Sequence, residues 1–237
     1  MFYFIIPLSL GIVTLFPFLY FRVKEKRVIA VIIKGFLSLL FIITALVAWL
    51  TSKNPSSHFP IFILIGLFFG LLGDIFLDIK YITTKKELFY TILGFFTFAF
   101  GHIFYTLGLF VCLYDYSASV LYLIIPIIIT LLLMTATLLM EKVSKIRYLK
   151  MKPFVIIYSL CLFFTTSIYM SAAIQSGFSN MTLVIFAFGL ISFAISDLIL
   201  NNTYFAPGFN TPVFVITNHV TYYIGQFLIA VSLFFLI

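Results

Sequence analysis

The chain has 237 residues, of which 64% are hydrophobic and only 9% charged, with a mean hydropathy of +1.25. A water-soluble domain cannot hide that much apolar surface, so the composition excludes a soluble enzyme or binding module and indicates an all-α, polytopic transmembrane bundle. The net charge of +7 does not indicate nucleic acid, because the basic residues are divided among short polar breaks instead of sharing one face.

Apolar runs predict eight spans, at about 2–21, 29–50, 60–79, 88–113, 119–140, 153–174, 181–201 and 212–236. Each is near the ~20 residues that a helix needs to cross a bilayer core. No connection is long enough for a soluble domain, so residues 1–237 read as a single transmembrane domain. Residues 2–21 lack a basic n-region and a small-residue cleavage site, and their basic cluster follows the apolar run, so they read as a retained first span. Cys112 and Cys161 fall inside apolar runs and read as packing residues, without a CxxC metal motif.

Basic residues alternate from break to break. The 22–28 break carries four Lys/Arg, the 80–87 break three and the 141–152 break five, whereas 51–59, 114–118 and 175–180 hold only Lys53. The positive-inside rule then places the basic loops in the cytoplasm and both termini outside, as in a bacterial inner or cell membrane. Tyr20, Trp49, Tyr114, Tyr116 and Tyr148 lie near span ends and read as interfacial aromatics. His58 falls in an external loop and reads as solvated.

Asp74 stands about fifteen residues into the third span, where a carboxylate costs roughly 2.5–3.5 kcal/mol to insert. The pattern Gly73-Asp74-Ile75-Phe76-Leu77 is echoed by Ser196-Asp197-Leu198-Ile199-Leu200, and Gly101-His102-Ile103-Phe104-Tyr105 by Asn218-His219-Val220-Thr221-Tyr222. An offset of four spans preserves direction, so the echo would be a parallel repeat of two four-span halves. At 1.5 Å per residue Asp74 sits roughly 8 Å, and Asp197 roughly 6 Å, inside the basic-loop boundary. Asp78, one turn after Asp74, is expected to end its span at the membrane edge and meet Lys80 or water. Lys34 either snorkels to the interface or meets a lipid phosphate. Tyr223 and Gln226 lie mid-span on the eighth helix, where they either bind substrate or join helices. No GxSxG, P-loop, HExxH or dinucleotide fingerprint is present.

The stretches 73–77 and 94–105 resemble the YhhN-like membrane proteins, a family that includes the lysoplasmalogenases. So do Phe193-Ala194-Ile195-Ser196-Asp197 and the run from Tyr222 to Ile229, with the likeness extending from about Lys34 to the end. One departure is Gly35 after Lys34, where the family tends to have Lys-Pro. The resemblance implies hydrolysis of the vinyl ether bond of a lysoplasmalogen to a fatty aldehyde and a glycerophospho-alcohol. That chemistry needs one protonated carboxyl and one carboxylate close together, a division that two acids in low dielectric supply. Asp74 and Asp197 are therefore the candidate catalytic pair, and Lys34, His102, Tyr105, His219, Tyr222, Tyr223 and Gln226 the candidate substrate-binding residues. No metal or cofactor is called for. The expected partners are a lysophospholipid substrate and membrane lipid, with no nucleic acid and no obligate protein partner. Two rivals stay open: a proton-coupled transporter or flippase, and a Zn²⁺ site built from two His and two Asp.

Overall fold

A computed structural model describes residues 2–115, 117–143 and 145–236. Tyr116, one of the expected interfacial aromatics, lies outside the described residues. Among these residues are eight long helices and no strand: α1 (Ile5–Val23), α2 (Arg27–Leu50), α3 (Phe59–Ile79), α4 (Glu87–Cys112), α5 (Leu121–Val143), α6 (Lys152–Gln175), α7 (Met181–Phe205) and α8 (Pro212–Ser232). All eight are long and apolar enough to cross a membrane.

Local chemistry sets the ends. Proline in the first turn opens α3, α6 and α8, where the missing N–H is no loss. Asn180 and Thr211 cap α7 and α8 by accepting from Leu183 and Phe214 N–H. α7 continues four residues beyond the apolar run because its polar tail folds back on itself. Asn202 donates to the Leu198 carbonyl and Thr203 to that of Leu200, so the polar groups of the tail find partners within the helix. Within α5, Thr130 donates to the carbonyl of Pro126, next to the interruption that the proline makes.

Six helices close into a ring: α2 packs on α3, α3 on α4, α4 on α6, α6 on α7, α7 on α8, and α8 back on α2. α1 lies outside, against α2 and α8, and α5 lies outside against α6. The central adjacencies repeat when every helix number is advanced by four. The two most intimate pairs, α3/α4 and α7/α8, each cross at glycines. A Cβ on Gly66 or Gly101 would come within 3.0 Å of the other's carbonyl oxygen, and one on Gly225 within 2.7 Å of the Gly189 oxygen. Small residues allow this approach, on which close packing between membrane helices depends. Gly66 precedes Asp74, and Gly189 precedes Asp197, by the same eight residues. Both carboxyls therefore lie roughly 12 Å along their helices from a crossing, toward the basic-loop end.

Beyond the crossings the ring is filled by aromatics. Tyr169 stacks on Phe186 with centroids 4.1 Å apart, and its hydroxyl donates to the Tyr105 carbonyl at 2.8 Å. Tyr148, expected at the interface, is instead buried: it donates to the Thr137 carbonyl and accepts from Asn201, tying the α5–α6 connection to α7. Trp49 donates to the Pro55 carbonyl and so braces the loop after α2. His58 is exposed, as a loop residue should be.

Candidate functional site

The basic-loop end of the ring holds a buried chain of charges. α2 presents Lys34 and, one turn on, Ser38; α3 presents Asp74 and Asp78 with the same spacing of four, so the two pairs face each other along adjacent helices. Lys34 Nζ lies 3.2 Å from Asp74 Oδ1 and 3.1 Å from Asp78 Oδ1. Arg22, at the end of α1, reaches Asp78 Oδ2 at 3.6 Å while its guanidinium covers the Tyr81 ring. Asp74 Oδ2 also accepts from Ser38 Oγ (2.6 Å) and from the Tyr222 hydroxyl (2.7 Å). Gln226 in turn donates to Tyr222, and the Tyr223 hydroxyl stands 3.3 Å from Ser38 Oγ. Lys34 is 5% exposed, Asp74 2% and Asp78 1%.

This arrangement corrects two expectations. Asp78 stands at the end of its span, but it meets neither Lys80 nor water; it is as buried as Asp74 and shares the same cation. Lys34 neither snorkels nor faces outward, because α3 brings two carboxylates against it. Removing either partner would leave a buried charge uncompensated, which fixes the register of α2 on α3.

Asp197 stands across a cavity from this chain, in different company. The Tyr158 hydroxyl of α6 donates to it, and no cation forms an ion pair with it among the described residues. The cavity is about 50 Å³, room for a few waters, and its walls include Asp74, Asp78, Lys34, Arg22, Asp197, Tyr158, Tyr222 and His219. His219 Nδ1 lies 2.7 Å from the Val215 carbonyl. A carbonyl only accepts, so Nδ1 carries a hydrogen, and in the neutral ring Nε2 keeps its lone pair. Asn218 donates to the Ser196 carbonyl and so pins α8 beside the Asp197 turn. A second cleft, largely apolar, shares Asp197, Tyr158, Phe95 and Leu200 with the cavity and continues past Leu162, Phe163, Ala194 and Leu198.

Of the residues singled out from the sequence, Lys34, Asp74, Asp197, His219 and Tyr222 line the cavity, while Tyr223 and Gln226 support it from behind. His102 and Tyr105 do neither. His102 is enclosed by Tyr105, Tyr158 and Phe193, and its buried Nδ1 has no hydrogen-bond partner among the described residues. The Tyr105 ring packs where a Cβ on Gly66 would stand. The two histidines differ because the crossings differ: Gly101 comes one residue before His102, whereas Gly225 comes six residues after His219. His219 therefore lies near the height of the carboxyls, and His102 level with the crossing. Sequence reading missed Arg22, Ser38 and Tyr158. Arg22 counted as a topological charge, and the others carry no signal until the helix neighbours are known. Among the described residues no three His, Cys, Asp or Glu side chains group as a metal site would require.

No curated protein and no solved structure matches the chain. A family model described as the YhhN family matches residues 29–233, which takes in every helix from α2 to α8 and both carboxyl sites. The likeness first read from short motifs around Asp74 and Asp197 thus extends over most of the sequence, and the chain belongs to the YhhN family.

Proposed function

We propose that this membrane protein is a hydrolase that cleaves the vinyl ether bond of lysoplasmalogens, releasing a fatty aldehyde and a glycerophospho-alcohol. The observation that carries the reading is the pair of unlike carboxyls on one cavity: Asp74 is held by a cation, and Asp197 is not. Arg22 and Lys34 balance Asp74 and Asp78 charge for charge, so the cluster is neutral when Asp197 carries a proton.

In this reading Asp197 gives its proton to the alkenyl carbon remote from oxygen, and an oxocarbenium ion forms. The Asp74 carboxylate steadies that cation and takes a proton from the attacking water. The hemiacetal then collapses: its hydroxyl proton returns to Asp197, the proton on Asp74 passes to the departing glycerol oxygen, and both acids are reset. General acid–base assistance of this kind is worth about 10²–10⁴-fold. His219, with its Nε2 lone pair, is the neutral group on the cavity wall suited to orienting the water. The apolar side chains of Leu162, Phe163, Ala194 and Leu198 border Asp197 on the side from which the hydrocarbon chain of such a lipid would approach.

The test is aldehyde release from 1-alkenyl-glycerophosphoethanolamine and its choline analogue by purified protein in detergent, with and without EDTA. Release that survives EDTA and drops at least about 100-fold in both Asp74→Asn and Asp197→Asn is expected. Full activity in either variant would sink the mechanism. No release from either lipid, with lipid moved across proteoliposomes, would make the protein a carrier.

A further inference from the structure

We propose that a vestibule in front of the cavity binds the phosphate of the lysophospholipid headgroup, with Lys80 and Lys85 as its cations; the substrate class rests on the hydrolase reading above. Lys80 is the first residue after α3 and is 5% exposed. Its ammonium lies 3.2 Å from the Tyr204 ring centroid and 5.0 Å from that of Tyr81. Among the described residues no carboxylate lies within ion-pair distance of it, whereas Arg22 has one such partner and Lys34 two. Aromatic faces only partly offset the loss of water around a buried ammonium. An anion completes the site.

The space beside Lys80 measures about 500 Å³, enough for a headgroup, and is walled also by exposed Lys85, by Thr203, by Asn210 as a neutral donor, and by exposed Glu87. Tyr81, Thr203, Tyr204 and Asn210 line both this vestibule and the inner cavity, so the two are one side chain apart. A glycerol backbone bridges that partition, with phosphate against Lys80 on one side and the 1-alkenyl ether against Asp197 on the other. Lys34 is not available for the phosphate, being saturated by Asp74 and Asp78. A basic pocket at the cytoplasmic boundary is the usual setting for a lipid phosphate.

Binding, read separately from turnover, tests this. The probes are a non-hydrolysable 1-alkyl-glycerophosphoethanolamine and the phosphate-free 1-alkylglycerol, titrated into purified protein in detergent, with glycerophosphate and inorganic phosphate as competitors. In Lys80→Met the phospholipid should bind about tenfold more weakly and 1-alkylglycerol as before, and glycerophosphate should displace the phospholipid from wild type. Lys85→Ala, at an exposed position that folding does not depend on, should weaken the phospholipid about threefold and leave 1-alkylglycerol unchanged. Equal losses for both probes, or none for the phospholipid in either variant, would overturn the assignment. Inorganic phosphate that binds through Lys80 without displacing the lipid would also overturn it, by making the vestibule a free-phosphate site. Because no bond need break, a failed hydrolase reading leaves this result interpretable.

Discussion

Lys34→Met isolates the charge chain, because methionine keeps the length of the side chain and removes only the ammonium. In the native fold that ammonium sits 3.2 Å from Asp74 and 3.1 Å from Asp78. Without it Asp78 keeps Arg22 at 3.6 Å, while Asp74 keeps only the hydroxyls of Ser38 and Tyr222. Removing one partner of a buried pair costs about 3–5 kcal/mol, which for a chain of this size lowers the unfolding midpoint by about 6–20 °C. Adding Asp74→Asn to the variant removes the stranded carboxylate and leaves the Arg22–Asp78 pair whole, with the new amide oxygen still able to accept from Ser38 and Tyr222. Thermal unfolding in one detergent should therefore show the double variant regaining at least half of the loss. A Lys34→Met midpoint within about 2 °C of wild type, or a double variant less stable than the single, would refute the account of these residues as one neutral chain.

Glycine substitutions should separate contact from propensity. A Cβ on Gly225 meets backbone atoms of Gly189 and Phe193 at 2.7 and 2.9 Å, so Gly225→Ala should destabilise by about 1–3 kcal/mol, whereas Gly35, with nothing within 4 Å, should gain about 0.5–1 kcal/mol as alanine; denaturation midpoints compare them. Burial holds the Lys80 pKa down to about 7 against attraction from Glu87 and Asp78, with Arg22 and Lys34 pushing the same way as burial. The ammonium is then present below about pH 7 and lost above it, so phospholipid affinity should fall as pH rises through about 7, and Lys80→Met should flatten that profile in the binding titration described above.

The eight spans and the two intramembrane acids were legible because both signals are local: an apolar run and a charge that interrupts it. Partners were not legible, since they depend on which helices become neighbours. Arg22 and Lys80 each end a span, where a basic residue already has an explanation in topology, and only the folded chain shows Arg22 meeting Asp78 and Lys80 lying over the Tyr204 ring. Asp78 was given the wrong partners because the end of an apolar run reads as open to water, yet α2 covers it with Lys34. Tyr158 is one of 14 tyrosines and nothing in its surroundings marks it. The matched His motifs suggested matched places, but the glycine that sets each crossing stands on opposite sides of the two histidines.

The near-symmetry of the halves bears on why the two acids should play different parts. Lys34 lies 40 residues before Asp74, and Tyr158 lies 39 before Asp197. Each sits on the helix, α2 or α6, that packs beside the one carrying its acid. The two positions correspond, with a cation in one half and a phenol in the other. A cation on Tyr158's side would have balanced Asp197 as Lys34 balances Asp74, giving two equivalent carboxylates and no proton to donate. A phenol offers a hydrogen bond without a charge. In a buried site where two cations already meet two carboxylates, a third negative charge has no cation to offset its loss of water. In the proposed mechanism this cation-for-phenol difference contributes to the asymmetry that acid–base catalysis needs, and it gives Asp197 the part of the acid and Asp74 that of the base.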